Sequence, residues 1–288
     1  MFTRRAFLAA AFASLPCVLQ AGSLRLSRLP AAFARLEEIN GGRLGVAVIY
    51  TATGERAAYR AAERFPMCST FKFLLASAVL QRVDHAQESL DRRVTIPARP
   101  LLANSPLTEP HAGGTMTISE LCRAALARSD NTAANLLLAA VGGPQGVTDF
   151  ARQIGDAVTR LDRMELALNE SADGDPRDTT SPTAMAGNLR AVLLGTVLTP
   201  PLRNQLTGWM ESNLTGLDRL RKDLPEGWRA ADKTGSNGGH TSNDIAVMWP
   251  KGRQPVIIAA YITLCPGPEE KRATMLADIG RLVRESVS

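Results

Sequence analysis

The 288-residue chain is poor in the side chains that assemble metal centres: three histidines and four cysteines, with no C-x-x-C spacing, leave little from which to build a zinc site. It has no clustered run of lysine and arginine, which argues against a nucleic-acid or membrane-surface partner. No apolar stretch approaches the ~20 residues that span a bilayer. Internal repeats and low-complexity linkers are absent too. What is present, 45% hydrophobic and 21% charged residues, is the balance of a globular protein that buries a real core in one or two domains.

The N-terminus stands apart. Thr3-Arg4-Arg5-Ala6-Phe7-Leu8 sets paired arginines before an apolar stretch running to Leu15, the order of a signal peptide of the twin-arginine type. Pro16 and Cys17 interrupt that stretch too early for a membrane anchor, and Gln20-Ala21-Gly22 offers a small-residue cleavage zone. Residues 1–21 are therefore expected to be cleaved, leaving a periplasmic or secreted protein with no membrane attachment. Cys17 as a lipidation site would have a poor context in Leu15-Pro16. Loss of Arg4 and Arg5 lowers the basic count from 33 to 31 against 28 acidic residues, a net charge of about +3. Cys68, Cys122 and Cys265 remain, an odd number, and a protein folded in a reducing cytosol before export is expected to keep them buried and unpaired.

Along the mature chain, Arg35-Leu36-Glu37-Glu38-Ile39 reads as helix stopped by Asn40-Gly41-Gly42. Gly45 to Tyr50 reads as a buried strand, and Thr53-Gly54-Glu55 as a turn into a second one. From Thr70 to about Gly208 the apolar residues recur mostly at helical spacing, as in Leu74-Leu75-Ala78-Val79 and Leu121-Ala125-Leu126. Strand signals return in Ile245 to Trp249 and Val256 to Ile262, followed by a helix expected near Ala273 to Arg284. Strands at both ends around a helical middle predict an α/β domain from residues 22–60 and 213–288, with an all-α domain, 61–212, inserted. The cleft between them is a favoured ligand site.

Three short motifs carry chemistry. Ser69-Thr70-Phe71-Lys72 precedes the apolar run Phe73-Leu74-Leu75. A serine at a helix start lies near unpaired backbone N–H groups, and a lysine three residues on is one turn away, ~4.5 Å along the axis. Such a lysine accepts the hydroxyl proton when burial or neighbouring charge favours the neutral amine. Taken singly, the motif reads more readily as a capping serine and a surface lysine. Ser129-Asp130-Asn131 could be an ordinary turn or N-cap. Lys233-Thr234-Gly235-Ser236 could be a solvated edge strand whose lysine discourages pairing.

Together, in this order and at these separations, the three motifs resemble those of class A β-lactamases. Asn104-Ser105-Pro106-Leu107-Thr108-Glu109, Leu224-Pro225 and Asn243-Asp244-Ile245-Ala246-Val247 extend the resemblance over nearly the whole mature chain. It implies a two-domain fold in which an antiparallel sheet with flanking helices, built from both termini, receives an inserted helical domain. It implies Ser69 as nucleophile, Lys72 as its proton acceptor or electrostatic partner, and Ser129 as proton relay to the departing β-lactam nitrogen. Asn131 would bind the substrate's acylamino group, and Lys233, Thr234 and Ser236 its carboxylate. Gly235, Asn237 and, at the cleft mouth, Asn104 complete the substrate-contacting set. The N–H groups of Ser69 and Ser236 would form an oxyanion hole, each donor worth ~3–4 kcal/mol in the transition state.

Arg163-Met164-Glu165-Leu166-Ala167-Leu168-Asn169 looks like the family's Ω-loop, spanning about 160–178. Glu165 and Asn169 would grip the hydrolytic water, and an Arg163–Asp178 ion pair would close the loop. Arg219 occupies one of the positions from which the family draws an extra arginine toward the substrate carboxylate; otherwise it is a solvated helix arginine. The resemblance implies no metal and no organic cofactor, a small-molecule β-lactam as ligand, and a monomer.

The chain departs from the family in places. Leu166 stands where proline commonly follows the loop glutamate on a cis bond, and a cis bond before a non-proline residue costs ~2.5–4 kcal/mol. Asn104 replaces an aromatic that often flanks the cleft. Cys122 and Cys68 each match half of a disulfide known in relatives, but Ala76 and Asn237 stand at the other positions. Modification of Cys68, next to the nucleophile, is expected to impair turnover. Two rival readings share the three motifs: a D-alanyl-D-alanine peptidase, which generally lacks the Arg163, Glu165, Asn169 and Asp178 set, and a non-hydrolytic β-lactam-binding sensor, which normally carries a transmembrane segment.

Overall fold

The computed structural model describes residues 26–287, so the signal peptide expected at 1–21 lies outside the described residues. The first elements are α1 (Leu29–Asn40), β1 (Arg43–Tyr50), β2 (Arg56–Tyr59) and β3 (Phe65–Pro66). The middle holds α2 (Phe71–Asp84), β4 (Arg93–Thr95), β5 (Thr115–Thr117), α3 (Ile118–Ala127), α4 (Asn131–Val141) and α5 (Pro144–Gln153). After β6 (Thr179–Thr180), α6 (Pro182–Leu189) and α7 (Pro200–Glu211) come β7 (Arg229–Ser236), β8 (Ser242–Trp249), β9 (Val256–Thr263) and α8 (Glu269–Val287). The first and last strands join in one antiparallel sheet, ordered β2-β1-β9-β8-β7.

The unbroken apolar runs of β1 and β9 arise because the sheet is covered on both faces and side chains alternate between them. Val46, Val48, Ile258 and Ile262 pack with Leu29 and Phe33 of α1 and Leu276, Ile279 and Val283 of α8. Ala47, Ile49, Ile257 and Tyr261 face the second core, shared with the helices of the middle. Within that core every residue of α2 from Phe71 to Leu80 is buried, as expected of a helix that is apolar all round. The small pairs β3–β6 and β4–β5 were not legible from the sequence, because two or three residues are too few to display a period of two. Helix α8 starts at Glu269, earlier than the apolar spacing indicates; its polar first turn contains Glu269 and Glu270, acids that suit a helix N-terminus.

Candidate active site

Ser69 sits in a single 3-10 turn, Cys68–Thr70, that leads directly into α2. Strand β8 fastens the preceding backbone: Asn243 Nδ2 donates to the carbonyls of Pro66 at 2.9 Å and Met67 at 3.1 Å. Strand β7 lies against the same turn. A Cβ at Gly235 would stand 2.7 Å from Met67 O and 3.1 Å from Ser69 N, so glycine is what permits this approach. One turn along α2, Lys72 is wholly buried, which removes the surface-lysine alternative. Its Nζ donates to Ser69 Oγ at 3.1 Å, Ser129 O at 2.9 Å and Asn131 Oδ1 at 2.6 Å, and lies 2.9 Å from Glu165 Oε1. Burial pushes the ammonium below the ordinary lysine range, and the charge of Glu165 opposes that shift.

The Ser-Asp-Asn triplet is an N-cap as well as a contributor to the site. Asp130 caps α4 by accepting from Ala133 N at 2.9 Å, while its other oxygen accepts from Leu107 N and Thr108 N, both at 2.9 Å. This buried carboxylate ties the start of α4 to the 105–108 segment and holds Ser129, at φ +55, and Asn131 toward Lys72. Asn104 Nδ2 donates to Ser129 O at 3.1 Å, and Asn131 Nδ2 donates to Ala103 O at 2.8 Å. Lys233 lies on an edge strand yet is fully buried, contrary to the solvated-edge alternative. Its Nζ donates to Ser129 Oγ at 3.2 Å and Thr234 O at 2.8 Å. Burial, with the nearby charge of Lys72, pushes its pKa down to about 7.

Opposite, Glu165 reaches in from the loop between α5 and β6. Its Oε1 accepts from Ser69 Oγ at 3.4 Å and its Oε2 from Asn169 Nδ2 at 2.6 Å. The Glu165–Leu166 peptide is cis without a proline. Asn135 of α4 clamps the glutamate's backbone from both sides: Oδ1 accepts from Glu165 N at 3.0 Å and Nδ2 donates to Glu165 O at 2.9 Å. At the loop's base Arg163 Nε donates to Asp178 Oδ2 at 2.6 Å, and Asp178 Oδ1 accepts from the N–H groups of Asp162 at 2.7 Å and Arg163 at 2.9 Å. Asp178 O accepts from Met67 N at 2.9 Å, so the loop and the turn that carries Ser69 share a fixed point.

Cys68 Sγ lies 3.6 Å from Ser171 Oγ, and Cys68, Cys122 and Cys265 are all free and buried. Burial pushes the Cys68 thiol up to about 12. The folded protein therefore shields this thiol from the modification considered above.

The far end of the cleft carries a charge pair, in which Arg219 Nη2 donates to Glu269 Oε1 at 2.8 Å. Arg219 is 7% exposed, not a solvated helix arginine, and its Nη1 donates to the carbonyls of Gly235 at 3.2 Å and Asn243 at 2.9 Å. Thr234 Oγ1 is hydrogen-bonded to Thr215 Oγ1. Asn237 lines the cleft, but its Oδ1 is engaged within its own turn by Gly239 N at 2.9 Å and Thr241 N at 3.1 Å. These elements enclose a cavity of about 620 Å³ lined by Ser69, Asn104, Ser129, Asn131, Asn169, Arg219, Thr234, Gly235, Ser236 and Asn237, a size suited to a small organic ligand. Lys72, Glu165 and Lys233 are buried and meet that lining by hydrogen bonds to Ser69, Asn169 and Ser129. Sequence reasoning missed Asn135, Thr215 and Glu269. Only Asn135 leaves a signal, lying one helical turn beyond Asn131 and so on the same face of α4.

The β-lactamase enzyme family matches residues 28–287. The chain is 51% identical over 251 residues to β-lactamase L2 of Stenotrophomonas maltophilia, covering 87% of this chain and 83% of that one. It is 48% identical over 252 residues to β-lactamase CTX-M-8 of Citrobacter amalonaticus, covering 88% and 87% respectively. Among solved structures, an ancestral Gram-negative class A β-lactamase superposes with a TM-score of 0.88 at 57% identity, covering 90% of this chain and 99% of its own. A β-lactamase from Xanthomonas campestris gives 0.89 at 48% identity, covering 91% and 98%. With this likeness over nearly the whole described chain, and a buried serine, two lysines and a glutamate gathered at one cavity, the chain belongs to the class A β-lactamases, hydrolases of β-lactams.

Proposed function

We propose that the chain opens the β-lactam ring through an acyl-enzyme on Ser69 and releases the product with a water activated by Glu165. The observation that carries this reading is the contact set of Ser69 Oγ, 3.1 Å from Lys72 Nζ and 3.4 Å from Glu165 Oε1. In acylation, Ser69 Oγ attacks the lactam carbonyl and its proton passes to Lys72 Nζ, 3.1 Å away, where burial favours the neutral amine. The N–H groups of Ser69 and Ser236 take the developing oxyanion. As the ring C–N bond breaks, Ser129 hands a proton to the nitrogen; its Oγ has Lys72 Nζ at 3.4 Å and Lys233 Nζ at 3.2 Å. In deacylation Glu165, steadied by Asn169, takes a proton from water while the water oxygen attacks the ester carbonyl, and Ser69 leaves with a proton restored. Asn131 and Asn104 serve the acylamino side of the substrate; Lys233, Thr234, Gly235, Ser236, Asn237 and Arg219 serve its carboxylate side.

The loop of about 160–178 acts as the Ω-loop, closed by Arg163 and Asp178. The same reading divides the mature chain into an α/β unit, 22–60 with 213–288, and a helical unit, 61–212. It has the protein exported by the twin-arginine route to the periplasm or beyond, working as a monomer free of the membrane. Among the described residues no helix is long and apolar enough to cross a membrane.

Intact-mass spectrometry with a penicillin tests the mechanism. Wild type should turn over without a lasting adduct, Glu165→Ala should accumulate an adduct on Ser69, and Ser69→Ala should form none. A persistent adduct on wild type would instead favour the peptidase or the sensor.

A further inference from the structure

The cavity mouth holds a charge pair, Arg219–Glu269, of which only the arginine has a task in the reaction above. Glu269, the first residue of α8, lines the cavity together with Thr234 and Ser236. Its Oε1 accepts from Arg219 Nη2 at 2.8 Å; the glutamate side chain is 42% exposed, the arginine side chain 8%. The other donors of Arg219 are unequally used. Nη1 serves two carbonyls, of Gly235 and Asn243, whereas the buried Nε has no hydrogen-bond partner among the described residues. The guanidinium is thus anchored to β7 and β8 by one nitrogen and held at the cavity by a carboxylate that water also reaches.

We propose that Glu269 is a specificity-determining positioning residue: it aims Arg219 and competes with the carboxylate of an anionic β-lactam for the same guanidinium. The inference rests on the assignment of Ser69 and Arg219 given above. A charged acceptor on Nη2 satisfies the arginine more fully than a neutral one, by an amount equivalent to a factor of about five. An incoming carboxylate must overcome that difference, and an uncharged substrate feels none of it. The other charges at the site do not duplicate this role. Lys72 and Glu165 are paired with each other, and Lys233 reaches Ser129 and its own strand rather than Glu269.

The test compares a penicillin bearing a free carboxylate with its methyl ester, using wild type, Glu269→Gln, Arg219→Ala and the double variant. Glutamine keeps an acceptor for Nη2 and removes the charge, and Glu270 remains in the first turn of α8 to suit the helix N-terminus. For the acid, kcat/KM should rise about three- to fivefold in Glu269→Gln while kcat stays within about twofold; for the ester neither constant should move. In the Arg219→Ala background the gain should shrink to less than half on a logarithmic scale. Equal changes for acid and ester, or a gain undiminished without Arg219, overturn the inference. Failure of the wild type to hydrolyse the acid would defeat the reading of the whole site, whereas normal wild-type turnover with an unaltered Glu269→Gln defeats this inference alone.

Discussion

Asn135→Ala should leave an enzyme that acylates almost normally and releases its product slowly. Asn135 touches neither Ser69 nor either lysine; it holds the backbone N–H and C=O of Glu165 at 3.0 and 2.9 Å. Removing both hydrogen bonds, at ~1 kcal/mol each with a further penalty for the two groups left unpaired, lowers stability by about 2–3 kcal/mol. In a chain of this size that corresponds to a fall in Tm of roughly 5–10 °C. The kinetic effect is larger, because a displacement of ~1 Å in a positioned group can cost ~10²-fold. Lys72 and Asn169 still hold the Glu165 carboxylate at 2.9 and 2.6 Å, but its peptide is no longer fixed to α4. Stopped-flow kinetics with a chromogenic β-lactam should show a burst followed by slow turnover, with kcat and KM falling together as deacylation becomes limiting. Intact mass should show the adduct on Ser69 through the steady state. Asn135→Asp, which keeps the acceptor for Glu165 N and loses the donor to Glu165 O, should fall between. A variant with near-wild-type kcat and no adduct, or with acylation and deacylation slowed alike, would refute the argument.

Two further outcomes follow from the opposite wall. With Lys233 pushed down to about 7 by burial and by Lys72, its ammonium is progressively lost as pH rises through that value. The kcat/KM for a carboxylate-bearing substrate should therefore decline on the alkaline side, by up to about tenfold per pH unit. Lys233→Arg, whose guanidinium stays charged, should shift that limb upward; an identical limb in both proteins would show that Lys233 does not set it. Gly235→Ala places a Cβ 2.7 Å from Met67 O and 3.1 Å from Ser69 N, so the strand and the turn that carries Ser69 must separate. A loss of ~1–3 kcal/mol in stability and an acylation rate reduced at least tenfold, measured by thermal melts and single-turnover mixing, are expected, and wild-type values in both would contradict the close-approach reading.

Much of the molecule was readable along the chain. The apolar runs of β1 and β9, the helical spacing from Thr70 onward and the order of the three motifs are properties of neighbouring residues, and local propensity and periodicity express them directly. The state of each functional group was not readable in this way. Lys72 and Lys233 could have been surface lysines, Arg219 a solvated one and Asp130 a plain cap. Their burial, the lowered proton affinities of the two lysines and the distances between them depend on segments far apart in sequence: Lys233 meets Ser129, 104 positions away, and Asn243 fastens Met67, 176 positions away. Asn135 and Glu269 left little or no trace in the motifs, because each acts through a partner brought to it by packing. Periodicity specifies which face of an element turns inward, and the assembled core then decides which polar groups are desolvated together, which is where the chemistry of this site originates.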